Sequence, residues 1–295
     1  NNSLALGTTG NQIDIIQIPG LEDIASIEAG KNANYATTKD GTILFWGDYN
    51  SCLNSGGSVY SKNKYVSILN ISDVKYISAG SGYQLYKKTD DTIWAFGFND
   101  YGQLGDGTTK NAEKPVKTLS IDFVMNETVS EISAGYKHTL AIKKDGTVWA
   151  WGNNQYGQLG NGTTKQSYLP TKVKLDVTAK SITAGYDHCG IVADDETAWT
   201  WGNNKYGQLG DKSYVSRNVP VMISLTCVKK MSAGNGYTML LKRSGMLYTF
   251  GKNDCGQLGA IKTYNNKPMS IMLQVEDMSA GESHALALKN DGTVY

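Results

Sequence analysis

The chain has 295 residues, 28 basic and 27 acidic side chains for a net charge of +1, and 33 glycines. Balanced charge argues against a nucleic-acid-binding protein, which relies on a basic patch against phosphates. An apolar content of 40% with no long uninterrupted run argues against a membrane span, and the first residues, Asn1 to Gly10, lack the charged start and apolar core of a secretory leader.

Along the chain the same signals return. A short apolar stretch ends in Ala29-Gly30, Ala79-Gly80, Ala134-Gly135, Ala184-Gly185, Ala233-Gly234 and Ala280-Gly281, and successive glycines are 50, 55, 50, 49 and 47 residues apart. A period of that size marks a repeat protein, here one domain over 1–295 with units starting near residues 24, 74, 129, 179, 228 and 275. Each unit predicts four strands. Val74 to Ala79 has the composition of a first strand and His138 to Ile142 that of a second. Asp145-Gly146 is a hairpin turn, because glycine accepts positive φ at little cost. The same slot holds Asp40-Gly41, Asp90-Asp91, Asp195-Glu196, Ser244-Gly245 and Asp291-Gly292. Thr147 to Trp151 alternates small and aromatic residues, as a two-faced third strand does. The run from Gly157 to Thr164 reads as a loop. A fourth, outer strand follows near Pro170 to Val173 and near Pro220 to Met222, since proline is tolerated at a sheet edge.

All six tryptophans, Trp46, Trp94, Trp149, Trp151, Trp199 and Trp201, fall in third strands. A residue that returns in nearly every unit solves a problem every unit has, so these rings are assigned to packing between units. His138, His188 and His284 stand three residues after the repeat glycine, where Tyr83 and Tyr237 stand elsewhere. That exchange fits a hydrogen-bonding side chain with an aromatic body. Cys52, Cys189, Cys227 and Cys255 occupy different repeat positions without C-x-x-C spacing, so neither a metal nor a cofactor is expected. With no G-x-S-x-G elbow, P-loop lysine or H-E-x-x-H helix, the chain reads as a non-enzyme.

Ser133-Ala134-Gly135, His138, Asp145-Gly146-Thr147, Trp151-Gly152, Asn154 and Gly157-Gln158-Leu159-Gly160 together resemble the regulator-of-chromosome-condensation (RCC-type) repeat, and the resemblance covers almost the whole chain. It implies an all-β propeller of four-stranded antiparallel blades, usually seven in this family. Six units are visible, so the expectation is a six-bladed ring, or a seven-bladed one with a unit outside this sequence. Tyr295 falls in register with Trp149, and Asn1 near Asn154. This predicts closure by an N-terminal strand, Ile13 to Pro19, joining the last blade near Met272 and removing open edges.

Function belongs where the units differ. In an antiparallel meander, alternate turns emerge on one face. The turn after the repeat glycine therefore shares a face with the long loop after the third strand. That turn varies: Lys31-Asn32, Ser81-Gly82, Tyr136-Lys137, Tyr186-Asp187, Asn235-Gly236 and Glu282-Ser283. The loops add Tyr49, Tyr101, Tyr156 and Tyr206. Tyrosines amid Asn, Gly and Ser supply contact area at low entropy cost. Tyr136, Lys137, Tyr186, Asp187, Tyr156, Tyr206 and Tyr101 are accordingly predicted to bind a partner protein, the chain itself being read as a monomer.

The resemblance implies three functional classes. These are guanine-nucleotide exchange on a small GTPase, secreted bacterial inhibition of β-lactamases through aromatic loop residues, and ultraviolet-B reception through tryptophans after the repeat glycine. That last slot holds Tyr136 and Tyr186 and never tryptophan, which disfavours the photoreceptor. Abundant Asn, Lys and Tyr and regular repeats point to a bacterial protein, and the resemblance to the secreted inhibitor class implies an extracellular or cell-surface one. The sequence reading is thus a non-enzymatic binding propeller of the inhibitor type, with the exchange factor as its alternative.

Overall fold

A computed structural model describes residues 18, 21–30, 33–47, 66–67, 72–119, 128–261 and 263–295. Every regular element among them is a strand. In the third unit Val129–Ala134, His138–Lys143, Val148–Gly152 and Ser167–Lys172 pair antiparallel in chain order. Leu140 lies opposite Ser133 on one side and Ala150 on the other. The Asp145-Gly146 turn forms as its residues dictate: Gly146 has φ 78°, and the Asp145 carboxylate accepts the Thr147 N–H at 2.8 Å and its hydroxyl at 2.7 Å. The predicted outer strands appear at Ser167–Lys172 and Arg217–Met222.

The blade count differs from the expectation. Among the described residues five four-stranded sheets form, not six or seven. The sixth unit is a two-stranded sheet, Val275–Ala280 with Ala285–Lys289, extended by one bridge between Leu288 and Val294. Counting repeat glycines counts first strands, and a blade also needs its third and fourth. The proposed closing strand lies outside the described residues except for Ile18, which is in no strand. Ile18 packs with Leu21, Ile24 and Leu44 against Ala36 and Trp46 of the first blade.

The first strands of successive blades contact one another and so lie innermost. The hydrophobic core lies between blades. One cluster joins Leu140, Ile142, Val148 and Leu159 of the third blade to Ile182, Cys189, Ile191 and Trp201 of the fourth. Trp151 sits in the corresponding cluster with Leu85 and Leu104 of the second blade. Trp151 and Trp201 are fully buried, and their indole N–H groups donate across the junction to the Gln103 and Gln158 carbonyls at 2.9 and 2.8 Å. Trp94, Trp149 and Trp199, two residues earlier on the same face, are only half-buried. Depth along the strand, which periodicity does not report, separates the two sets.

Polar ties repeat at the same junctions. The Ala134, Ala184, Ala233 and Ala280 N–H groups donate to Ser78, Ser133, Thr183 and Ser232 of the preceding blade at 2.9–3.1 Å. The repeat glycine is required by close approach: a Cβ on Gly135 would lie 2.7 Å from the Gly185 carbonyl oxygen.

Candidate protein-binding face

The turns after Gly135, Gly185, Gly234 and Gly281 form a linked series at one end of the inner strands. The Tyr136 N–H donates to the Gly185 carbonyl at 3.3 Å, Tyr186 to Gly234 at 3.1 Å, and Asn235 to Glu282 at 3.1 Å. Each bond joins one blade's turn to the next, so backbone geometry fixes the spacing of neighbouring turns. That spacing places the Tyr136 and Tyr186 rings face to face, with centroids 3.8 Å apart and planes 15° from parallel. The Lys137 ammonium lies over the Tyr101 ring at 4.5 Å and the Tyr136 ring at 5.2 Å, a cation held between two aromatic faces.

Electrostatics reinforce the cluster. Burial raises the Asp187 carboxyl to about 6, opposed by the positive charge of Lys137. The Tyr186 phenol is pushed well above its ordinary range, first by burial, then by the Tyr136 hydroxyl and the charges of Asp187 and Glu282. Tyr101, Tyr136, Lys137, Tyr186 and Asp187 are therefore one neighbourhood. Tyr206 lies apart from that stack, under the Lys205 and Lys252 ammonium groups at 5.4 and 5.6 Å. Tyr156 is 37% exposed and makes no ring contact among the described residues. Its backbone is framework: its N–H donates to Gln158 Oε1 at 2.8 Å, as those of Tyr101 and Tyr206 do to Gln103 and Gln208. Tyr49, Lys31 and Asn32 lie outside the described residues. Lys252 and Glu282 border the same turns without being among the predicted binding residues. Lys252 follows the aromatic-Gly pair where Phe98, Asn153 and Asn203 stand in other units, and that departure from the repeat was the available signal.

His138 and His188 serve the framework, whereas His284 is exposed in the two-stranded sixth unit. His138 Nε2 lies 3.1 Å from Cys189 Sγ and His188 Nε2 lies 2.9 Å from Thr238 Oγ1, each reaching the next blade. Tyr83, in the same slot, donates its hydroxyl to the His138 carbonyl at 2.5 Å. Burial lowers His138 to about 3 and His188 to about 4, so both are neutral at physiological pH. Burial also raises the Cys189 thiol, which leaves it unreactive. Among the described residues no three His, Cys, Asp or Glu side chains converge on a metal position. No helix of the described residues is long and apolar enough to cross a membrane.

Comparison with protein families identifies the repeat. The model of the regulator of chromosome condensation (RCC1) repeat matches residues 90–142, 145–192, 195–241 and 244–288. The chain belongs to the RCC1 repeat family. Similar curated proteins include the serine/threonine-protein kinase Nek9 of Xenopus laevis, 29% identical over 80% of this chain and 27% of its own length. The ultraviolet-B receptor UVR8 of Arabidopsis thaliana is 28% identical over 91% of this chain and 63% of its own. The chain thus spans about a quarter to under two thirds of these relatives. They are eukaryotic and give no support to a bacterial, secreted inhibitor. Prp20p of Saccharomyces cerevisiae shares the fold with a TM-score of 0.82 at 20% identity, over 100% of this chain and 77% of its own. Human WBSCR16 does so with a TM-score of 0.80 at 21% identity, over 90% and 72%.

Proposed function

We propose that this RCC1-repeat propeller is a non-catalytic recognition module that holds a partner protein on the face carrying Tyr136, Lys137, Tyr186 and Asp187. The observation that carries this reading is the Tyr136–Tyr186 stack with Lys137 laid across Tyr136 and Tyr101. Rings already stacked and a lysine already placed have lost their freedom before binding, which lowers the entropy cost of association. Neighbouring turns tied at backbone level present the rings as one rigid patch of the kind in which aromatic hot spots are found.

For the partner, guanine-nucleotide exchange on a small GTPase is better supported than β-lactamase inhibition. Prp20p, with which the chain shares its fold, binds Gsp1p and histones. The test is capture by the immobilised chain of purified small GTPases and, separately, of β-lactamases, followed by Tyr136→Ala and Tyr186→Ala. Each substitution should weaken capture by about 2 kcal/mol or more, roughly thirtyfold. Retention of full affinity by the double variant would place the site elsewhere. Faster release of labelled GDP from a captured GTPase distinguishes exchange from simple binding.

A further inference from the structure

The sequence contains two Asn-Gly pairs, Asn161-Gly162 and Asn235-Gly236. Asparagine before glycine is chemically exposed, because no side chain shields the glycine nitrogen from the preceding amide carbon. The two pairs stand in opposite environments. At the first, the Gly162 N–H donates to the Asn218 carbonyl at 2.8 Å, and Asn161 Oδ1 accepts the Thr163 N–H at 3.0 Å and its hydroxyl at 2.8 Å. At the second, the Asn235 side-chain amide and the Gly236 N–H have no hydrogen-bond partner among the described residues. Asn235 is half-buried in its turn, and Gly236 follows at φ 78°.

We propose that Asn235 is a spontaneous modification site that slowly adds negative charge to the binding face. The Gly236 nitrogen attacks Asn235 Cγ and loses its proton. The side-chain nitrogen leaves as ammonia, and a succinimide ring closes. Water then opens the ring, at Cγ to give aspartate or at the main-chain carbonyl to give isoaspartate. The only co-reactant is water, and no redox change occurs. The new carboxylate arises in the turn bonded to Glu282 and next to Lys252 and Tyr206, both of which approach Gly236. Isoaspartate also lengthens the turn by one backbone atom. The inference rests on the contrast between the two turns and is independent of the partner's identity.

The test follows both sites by peptide mapping and isoaspartate labelling while the folded protein is held at mildly alkaline pH. Conversion at Asn235 should outrun that at Asn161 by roughly tenfold or more, because the latter must first give up hydrogen bonds of about that combined weight. In denaturant the two sites should convert at similar rates. Isoelectric focusing should show an acidic species that Asn235→Gln removes. Equal rates in the folded protein, a faster Asn161, or no conversion at Asn235 over a period in which the unfolded chain converts would each overturn the proposal.

Discussion

Lys87 is nearly inaccessible, at 4% side-chain exposure, in a position that holds Ile142, Val192 and Leu241 in later units. Its ammonium pairs with the carboxylate of Asp91, which also lies 3.6 Å from Lys144 of the next blade. Asp91 occupies the glycine slot of the turn and takes the glycine conformation, φ 64° against 78° at Gly146. Asp91→Gly therefore has two opposing effects. It relieves a left-handed non-glycine residue, worth about 1 kcal/mol, and it strands a buried ammonium, costing about 3–5 kcal/mol. The second wins, for a net loss of about 2–4 kcal/mol. Lys87→Met removes the buried charge and leaves the partly exposed Asp91 with Lys144, so it should be neutral or stabilising. The double variant should recover most of the stability lost by Asp91→Gly. Urea unfolding with unchanged m-values measures all three. Asp91 itself is held below the usual carboxylate range, first by its hydrogen bond from Lys87. Its contribution is thus present at neutral pH and lost as pH falls through that lowered value. If Asp91→Gly proves neutral, or Lys87→Met costs as much, the pair is not what compensates the buried lysine.

Framework and binding face should separate by stability. Trp151→Ala empties an inter-blade contact and should cost about 3–5 kcal/mol. Tyr186→Ala loses mainly its stack, about 1 kcal/mol, and equal falls in melting temperature would show that Tyr186 is framework. Acid should destabilise the protein through His138 and His188, whose native values of about 3 and 4 lie below the ordinary 6.5. The unfolded chain takes up protons that the native state refuses, so stability falls as pH drops below about 6.5, by about 2 kcal/mol per histidine at pH 5. Denaturation at neutral pH and pH 5 measures this, and a His188→Gln variant as acid-sensitive as the parent would refute it.

Within a unit, the sequence determined the outcome. Val74–Ala79 is a strand, Asp145-Gly146 is its turn, and Ser167–Lys172 carries its proline at the sheet edge, because composition, glycine geometry and alternation act over a few residues. Which turn carries the aromatic patch was legible too, since Tyr136-Lys137 and Tyr186-Asp187 break a repeat whose surroundings are constant. That the tryptophans pack between units was legible, but which side chains meet across a junction was beyond the sequence. His138 meets Cys189, Trp151 reaches the Gln103 carbonyl, and Tyr136 stacks on Tyr186 across about one period of chain. No local preference encodes such a meeting; the offset of neighbouring blades sets it. The same holds for the five complete blades, for the separation of Tyr206 from the Tyr136–Tyr186 stack, and for the contrast between Asn161 and Asn235. Identical local sequence signals acquire different roles once packing decides which side chains are covered, and by what.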